Sequence, residues 1–365
     1  MNMNKLKIML ILGAFVAFMY SCKDDEPAGH QTVEWDQTPY TLEYGSLPPP
    51  DIASDNQLTV QGVKLGRMLF YEKMLSKDGS MACASCHLQE FAFSDTAQFS
   101  IGVKGLPGGR QAMGVFNMAW NTNEFFWDGR AHLIRDQSLG PIQDELEMNE
   151  TLENVIAKLS SKQSYKDQFK RAFGSEEITS EKMSLAMEQF MNSIVSYQSL
   201  YDQFLKDSTV FNESQKRGRD LFFQEYNEFF PEESGADCAH CHGGTNFEND
   251  QYMNNGLDGD GSIKDIGREN VTKKVEDKGK MKVTSLRNIA ITAPYMHDGR
   301  FKTLEEVVDH YNSGLQASST LDPALEQTRG TGLRLTDQDK KDLVNFLKTL
   351  TDTELTTNPE YSSPF

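Results

Sequence analysis

Basic residues, cysteine and long apolar runs are all in short supply in this sequence. The chain carries 36 Lys and Arg against 54 Asp and Glu, a formal net charge of -18, so its surface repels a phosphate backbone. Nucleic acid is excluded as a natural partner. A membrane-spanning helix needs roughly 20 apolar residues, and the N-terminal run from Ile8 to Phe18 falls well short. Preceded by Lys5 and Lys7 and followed by Met19-Tyr20-Ser21-Cys22, that run reads instead as an export signal ending in a lipobox-like tetrapeptide. The tetrapeptide departs from the usual lipoprotein pattern at Met19 and Tyr20, yet Cys22 stands where diacylglycerol is attached.

A length of 365 residues allows two domains of ordinary size. Residues 1–21 are expected to be the signal and residues 22–57 an acidic tether. Lys23-Asp24-Asp25-Glu26 and Pro48-Pro49-Pro50 favour extended chain there, so the folded body is expected to begin near Leu58. Residues 353–365 are expected to be a tail.

Of five cysteines, four stand in two copies of one pattern, Cys83-Ala84-Ser85-Cys86-His87 and Cys238-Ala239-His240-Cys241-His242. Cys-x-x-Cys-His is the attachment sequence of c-type haem: two thiols form thioethers and the adjacent histidine ligates the iron. A redox dithiol does not need a histidine after each pair, and a shared zinc site built on the four thiols leaves both histidines unexplained.

The flanks repeat too. Gly66-Arg67-Met68-Leu69-Phe70 precedes the first motif and Gly218-Arg219-Asp220-Leu221-Phe222 the second, each with a glycine where close helix packing wants one. Downstream, residues 178–197 and 335–350 both open with a capping signal and continue with apolar residues at helical spacing, among them Leu343, Val344, Phe346, Leu347 and Leu350. The expected fold is mainly α, two tandem cytochrome-c-like haem domains (residues 58–207 and 208–352) with a long insertion in the first.

The insertion, residues 110–148, offers Trp127 beside a glycine turn, the amide Gln137, a Gly140-Pro141 turn and the carboxylates Asp144, Glu145 and Glu147. A helix is predicted after it, capped by Asn149 or Thr151, with Leu152, Val155, Ile156 and Leu159 on its buried side.

Residues 126–148 and 285–308 strongly resemble the bacterial di-haem cytochrome c peroxidase family, which includes MauG, and the similarity runs from about Leu58 to Leu350. The resemblance implies a peroxidatic haem on His87, an electron-relay haem on His242, Trp127 between them, Gln137 as distal amide and Glu147 as the distal acid that handles protons. It implies a peroxidase using hydrogen peroxide and a small electron-donor protein such as cytochrome c. Two other readings stay open: a MauG-like oxidase acting on a partner's side chain, and a non-catalytic di-haem carrier. The implied place is the periplasmic side of the envelope, lipid-anchored in the outer membrane. The oligomeric state is open between monomer and homodimer.

The sequence also departs from the family. Many members carry a distal histidine after the first motif, whereas no histidine occurs here between His87 and His132. The loop 93–111, rich in Gly, is expected to be mobile, leaving the first haem open to peroxide. Calcium is implied at Gln111, Thr292 and Pro294, with Gln111 standing where the family has Asn. Asp258, Asp260, Ser262 and Glu269 have EF-hand spacing, but Ile263 replaces the glycine of the sharp turn, so a polar loop is the better reading. In residues 293–314, four side chains compete as outer ligand of the second haem: Met296, His297, His310 and Tyr311. Aligned on the family, the ligand position falls on Tyr311, the residue type MauG uses, ahead of His310 and Met296.

Overall fold

The computed structural model describes residues 32–122 and 124–365. The expected export signal and Cys22 lie outside the described residues. Twelve short to medium α-helices, a set of 3-10 turns, one π-helical turn and one two-stranded sheet make up the regular structure of the described residues. Helices α1 (Val60–Phe70), α2 (Ile134–Gln143), α3 (Leu152–Ser160), α4 (Gln163–Phe173) and α5 (Ser180–Ser193) surround a first hydrophobic core. After the short α6 (Leu200–Phe204), helices α7 (Glu213–Phe223), α8 (Glu269–Thr272), α9 (Leu304–Asp309), α10 (Pro323–Thr328) and α11 (Asp337–Lys348) belong to the second half, and α12 (Thr353–Thr357) ends the chain. Strands β1 (Tyr252–Met253) and β2 (Met281–Lys282) pair antiparallel.

Each core is built on one helix pair, and the two pairs are copies. In the first, α1 packs on α5 through Gly66, where any Cβ would collide with the Ala186 carbonyl oxygen and press on Phe190. In the second, α7 packs on α11 through Gly218, where a Cβ would collide with the Asp342 carbonyl oxygen and press on Phe346. Only glycine permits so close a backbone approach. Thr59, Thr179 and Thr336 cap α1, α5 and α11 by accepting backbone N–H bonds. The first core buries Leu65, Leu69, Phe70, Phe169 and Phe190, and the second Phe222, Phe247, Phe346 and Leu350.

A second duplication follows each haem motif. Asn117 and Asn288 both adopt left-handed backbone, φ 53° and 61°, and each opens a short 3-10 turn. Their amides converge on one residue: Asn117 Nδ2–H donates to the Ser196 carbonyl at 3.0 Å, and Asn288 Nδ2–H to the Ser196 hydroxyl at 3.0 Å. Ser196 N–H donates back to Asn117 Oδ1 at 2.7 Å, so buried polar groups tie the two halves together.

Packing extends beyond the expected limits of the folded body at both ends. Asp36 N–H bonds the Arg171 carbonyl, Tyr40 N–H the Leu58 carbonyl and Trp120 Nε1–H the Pro48 carbonyl. Leu47 is buried, while Tyr40, Leu42 and Ile52 rest on the first core. The segment 36–57 is therefore docked chain and not tether, because it has apolar side chains to bury. Trp35 covers Gly174 but stays 55% exposed, less packed than its type suggests. The C-terminal residues 353–365 also return to the first core, where Leu355 and Tyr361 are buried.

Candidate active site

Both Cys-x-x-Cys-His motifs sit on a 3-10 turn, Cys83–Ser85 and Cys238–His240, and both open onto one cavity of about 760 Å³. His87 Nδ1 lies 2.8 Å from the Phe93 carbonyl, and His242 Nδ1 lies 3.2 Å from the Phe247 carbonyl and 3.1 Å from that of Thr284. A carbonyl can only accept, so each Nδ1 carries the proton and Nε2 keeps its lone pair for a metal. Burial holds both imidazoles below their ordinary pKa, His242 at about 4, which keeps them neutral. The four thiols are free of disulfides, and burial pushes those of Cys83, Cys238 and Cys241 up to about 12. Two thiols with a neutral histidine on each side of one cavity, lined by Phe70, Met187, Met191, Leu343 and Leu347, fit two haem c groups.

The far walls of the cavity are duplicated as well, and here the copies differ. Phe125 and Ala131 bridge across the Trp127-Asp128-Gly129-Arg130 turn, as Tyr295 and Phe301 do across His297-Asp298-Gly299-Arg300, each closed by a 2.7 Å N–H···O bond. In both turns the arginine pairs with the aspartate, Arg130 with Asp128 at 3.0 Å and Arg300 with Asp298 at 2.6 Å. Counted onward from the two aspartates, α2 matches α9, Phe126 matches Met296, and Pro141 stands where Tyr311 stands.

On the first wall, Glu147, Gln137 and Trp127 all border the cavity. Gly140 and Pro141 continue α2 and do not make the expected turn; Pro141 forgoes one i→i−4 bond, and the helix stops two residues later at Gln143. Glu147 follows on a turn closed by its own N–H to the Asp144 carbonyl at 3.1 Å. Its carbonyl accepts Val103 N–H at 2.9 Å, and Gly102 leaves room for the Leu146 carbonyl. The loop expected to be mobile is thus a small hairpin, bridged between Ile101 and Pro107 and anchored to Glu147. Gly102 serves the close approach to that residue.

Burial raises the Glu147 carboxyl to about 6, with Asp144 adding to the rise and Arg130 opposing it. The Gln137 carboxamide makes no hydrogen bond to protein among the described residues and borders the cavity. Trp127 Nε1–H donates to the Gln111 carbonyl at 2.8 Å, and its ring meets that of His297 edge-on at 6.5 Å. Asp128, almost fully buried, is held by Arg110 at 2.7 Å, and Arg110 also grips Asp265 at 2.7 Å. That bridge between the halves carries no motif, and sequence reasoning missed it.

On the second wall the four competing side chains separate. Tyr311, Met296 and His297 border the cavity, whereas His310 turns away and gives its Nε2 to the Asn255 carbonyl at 3.0 Å. The reason is a π-helical turn, His310–Gly314, that continues α9 and brings Tyr311 inward. Asn255 Nδ2 lies 3.3 Å from Tyr311 Oη, and burial pushes that phenol up to about 12 while Asn255 opposes the rise.

Gln111 is buried, its amide N–H groups directed to Ser94 Oγ at 3.0 Å and the Asp95 carbonyl at 3.3 Å, and it shares the cavity border with Thr292 and Pro294. The EF-hand-like spacing is used otherwise: Asp258 pairs with Arg300 and Asp260 accepts from Ser318 and Ser319. Among the described residues no group of three or more His, Cys, Asp or Glu could hold a metal ion. His132 is exposed.

Two c-type haem attachment sites on one cavity, with far walls of different chemistry, define a di-haem oxidoreductase of the cytochrome c type. The chain belongs to the di-haem cytochrome c peroxidase family. A family model of that description matches residues 60–210. The methylamine utilization protein MauG of Methylorubrum extorquens is 33% identical over 309 residues, covering 84% of this chain and 81% of that one. Cytochrome c551 peroxidase of Nitrosomonas europaea is 35% identical over 249 residues, 67% of this chain and 71% of its own. Among solved structures, a MauG-like protein associated with microbial copper homeostasis superposes with a TM-score of 0.81 at 33% identity, over 89% of this chain and 99% of that one. No helix among the described residues is long and apolar enough to cross a membrane.

Proposed function

We propose that the protein reduces hydrogen peroxide to two waters, taking two protons and two electrons, with the electrons drawn from a small donor protein such as cytochrome c. Each haem, when bound, would supply an iron that changes oxidation state, with His87 holding the one that acts on peroxide and His242 the one that relays electrons. The half spanning residues 58–207 handles peroxide, and the half spanning 208–352 relays electrons. Glu147 takes the proton from the near oxygen of peroxide and returns it to the leaving oxygen. A carboxyl raised to about 6 can do both near neutral pH, because neither of its forms is out of reach. Gln137, with no protein partner for its amide, orients peroxide without adding charge. Trp127 lies between the halves as an aromatic step for electrons.

The observation that carries this reading is the asymmetry of the two far walls. Proline occupies on the first side the position that tyrosine occupies on the second, so that position offers no outer ligand on the side where Glu147 and Gln137 stand. Steady-state peroxide consumption by the di-haem protein with reduced cytochrome c tests it. Absence of turnover would leave a carrier. Tyr311 favours a second reading, MauG-like oxidation of a partner's side chain, which is detected as peroxide-dependent modification of a co-purifying protein in the absence of donor.

Calcium held by Gln111, Thr292 and Pro294 is part of the same proposal, and chelation should then lower activity. Export and lipid attachment at Cys22, placing the protein on the periplasmic side of the envelope in the outer membrane, is tested by lipid labelling of the full chain against Cys22→Ser. Sedimentation of the full chain separates monomer from homodimer.

A further inference from the structure

Asn255 touches three of the four side chains that compete as outer ligand on the second side. Its backbone carbonyl accepts His310 Nε2–H at 3.0 Å, and its amide nitrogen lies 3.3 Å from Tyr311 Oη and 3.3 Å from Met296 Sδ. An amide nitrogen carries two N–H groups and accepts nothing, so it can donate to the phenol oxygen and the thioether at once.

We propose that Asn255 is a positioning residue that selects Tyr311 as the outer ligand of the second haem and tunes how strongly it donates. The proposal rests on the reading that His242 carries a haem with Tyr311 opposite. The Asn255 carbonyl withdraws His310. Its amide occupies a lone pair on the Met296 sulfur, already a weak ligand for ferric iron, and leaves the Tyr311 oxygen a lone pair to give. A hydrogen bond on a ligand oxygen draws density from it, so the iron receives less and its potential sits higher than with an unbonded phenolate. Met296 is held at φ 73°, an unfavourable region for a residue other than glycine. Its turn is therefore determined by its neighbours.

The first half supplies the control. Counted from Phe93 and Phe247, the carbonyl partners of the two histidines, Ile101 stands where Asn255 stands. Ile101 has no N–H on its side chain, and it accompanies Phe126 and Pro141, which have nothing to be positioned. The amide is present on the side that has candidate ligands and absent from the side that has none.

The test is a potentiometric titration of the second haem in the purified di-haem protein, with its ferric spectrum recorded in parallel. Wild type, Asn255→Leu, Tyr311→Phe and the double variant are compared. Asn255→Leu should lower the midpoint potential and shift the ferric spectrum, and should produce no such lowering once Tyr311→Phe is present. Asn255→Asp, which keeps the shape without an N–H, should act in the same direction and covers a failure of the leucine variant to fold. An unchanged potential in both Asn255 variants, or equal lowering with and without Tyr311, overturns the proposal while leaving Tyr311 as ligand. An unchanged spectrum in Tyr311→Phe overturns both.

Discussion

The two haem-binding halves share a glycine-tight helix pair, a histidine held through Nδ1 and an Asp-Gly-Arg turn, yet they end on different walls. On the first side the matched positions hold Ile101, Phe126 and Pro141; on the second they hold Asn255, Met296 and Tyr311. The first set is apolar and gives a metal nothing. The second set is polar or soft, with its members in mutual contact. One duplicated scaffold thus provides an apolar wall and a polar one at these positions by changing what one helix and two loops carry. The first side then gains Glu147 from a turn that follows α2, for which the second half has no acidic match: the residue there is Ala317.

The comparison can be broken most severely at Glu147. Glu147→Gln is expected to lower peroxide turnover by about 10²- to 10⁴-fold, the usual worth of a positioned acid–base group, without altering the ferric spectrum of the second haem. Wild-type levels would move the proton chemistry elsewhere. Because the working base is the deprotonated form and its pKa is raised to about 6, kcat/KM should rise with pH up to that value and level off above it, falling roughly tenfold per unit below. In Glu147→Gln that acid limb should vanish.

Tyr311→Phe should change the spectrum and potential of the second haem and leave the first unaltered, making the second side resemble the first. The two helix pairs offer a symmetrical test. Gly66→Ala and Gly218→Ala should each destabilise the protein by about 1–3 kcal/mol, read as lower thermal midpoints, since each Cβ meets a backbone carbonyl that cannot rotate away. A large effect in one half alone would break the equivalence. The smallest effect is expected from salt: with a net charge of -18, turnover with a basic protein donor should slow as ionic strength rises, while turnover with a neutral small reductant should not.

Much of the scaffold was legible in the chain. The capping threonines before α5 and α11, and Thr151 before α3, announce those helices because capping is local: a side chain meets an N–H two or three residues on. Gly66 and Gly218 were legible for the same reason as their repeat. The π turn at His310 was not, nor was the helical setting of Pro141, since both depend on what packs against α9 and α2. The order of the hairpin 100–108 is not legible either, because glycines suit mobile loops equally well and the partner of Gly102, the carbonyl of Leu146, is distant in sequence.

What the amino-acid order determined by itself is the covalent chemistry, since two thiols and a histidine within five consecutive residues need only their own turn to meet one haem. What the tertiary structure decided is which side chains face each motif across the cavity. The neutral histidines, the raised Glu147 carboxyl, and the separation of Tyr311 from His310 by Asn255 all arise from burial and from contacts between residues far apart in the chain. Such contacts set local polarity and orientation, which no spacing of residues along the sequence specifies.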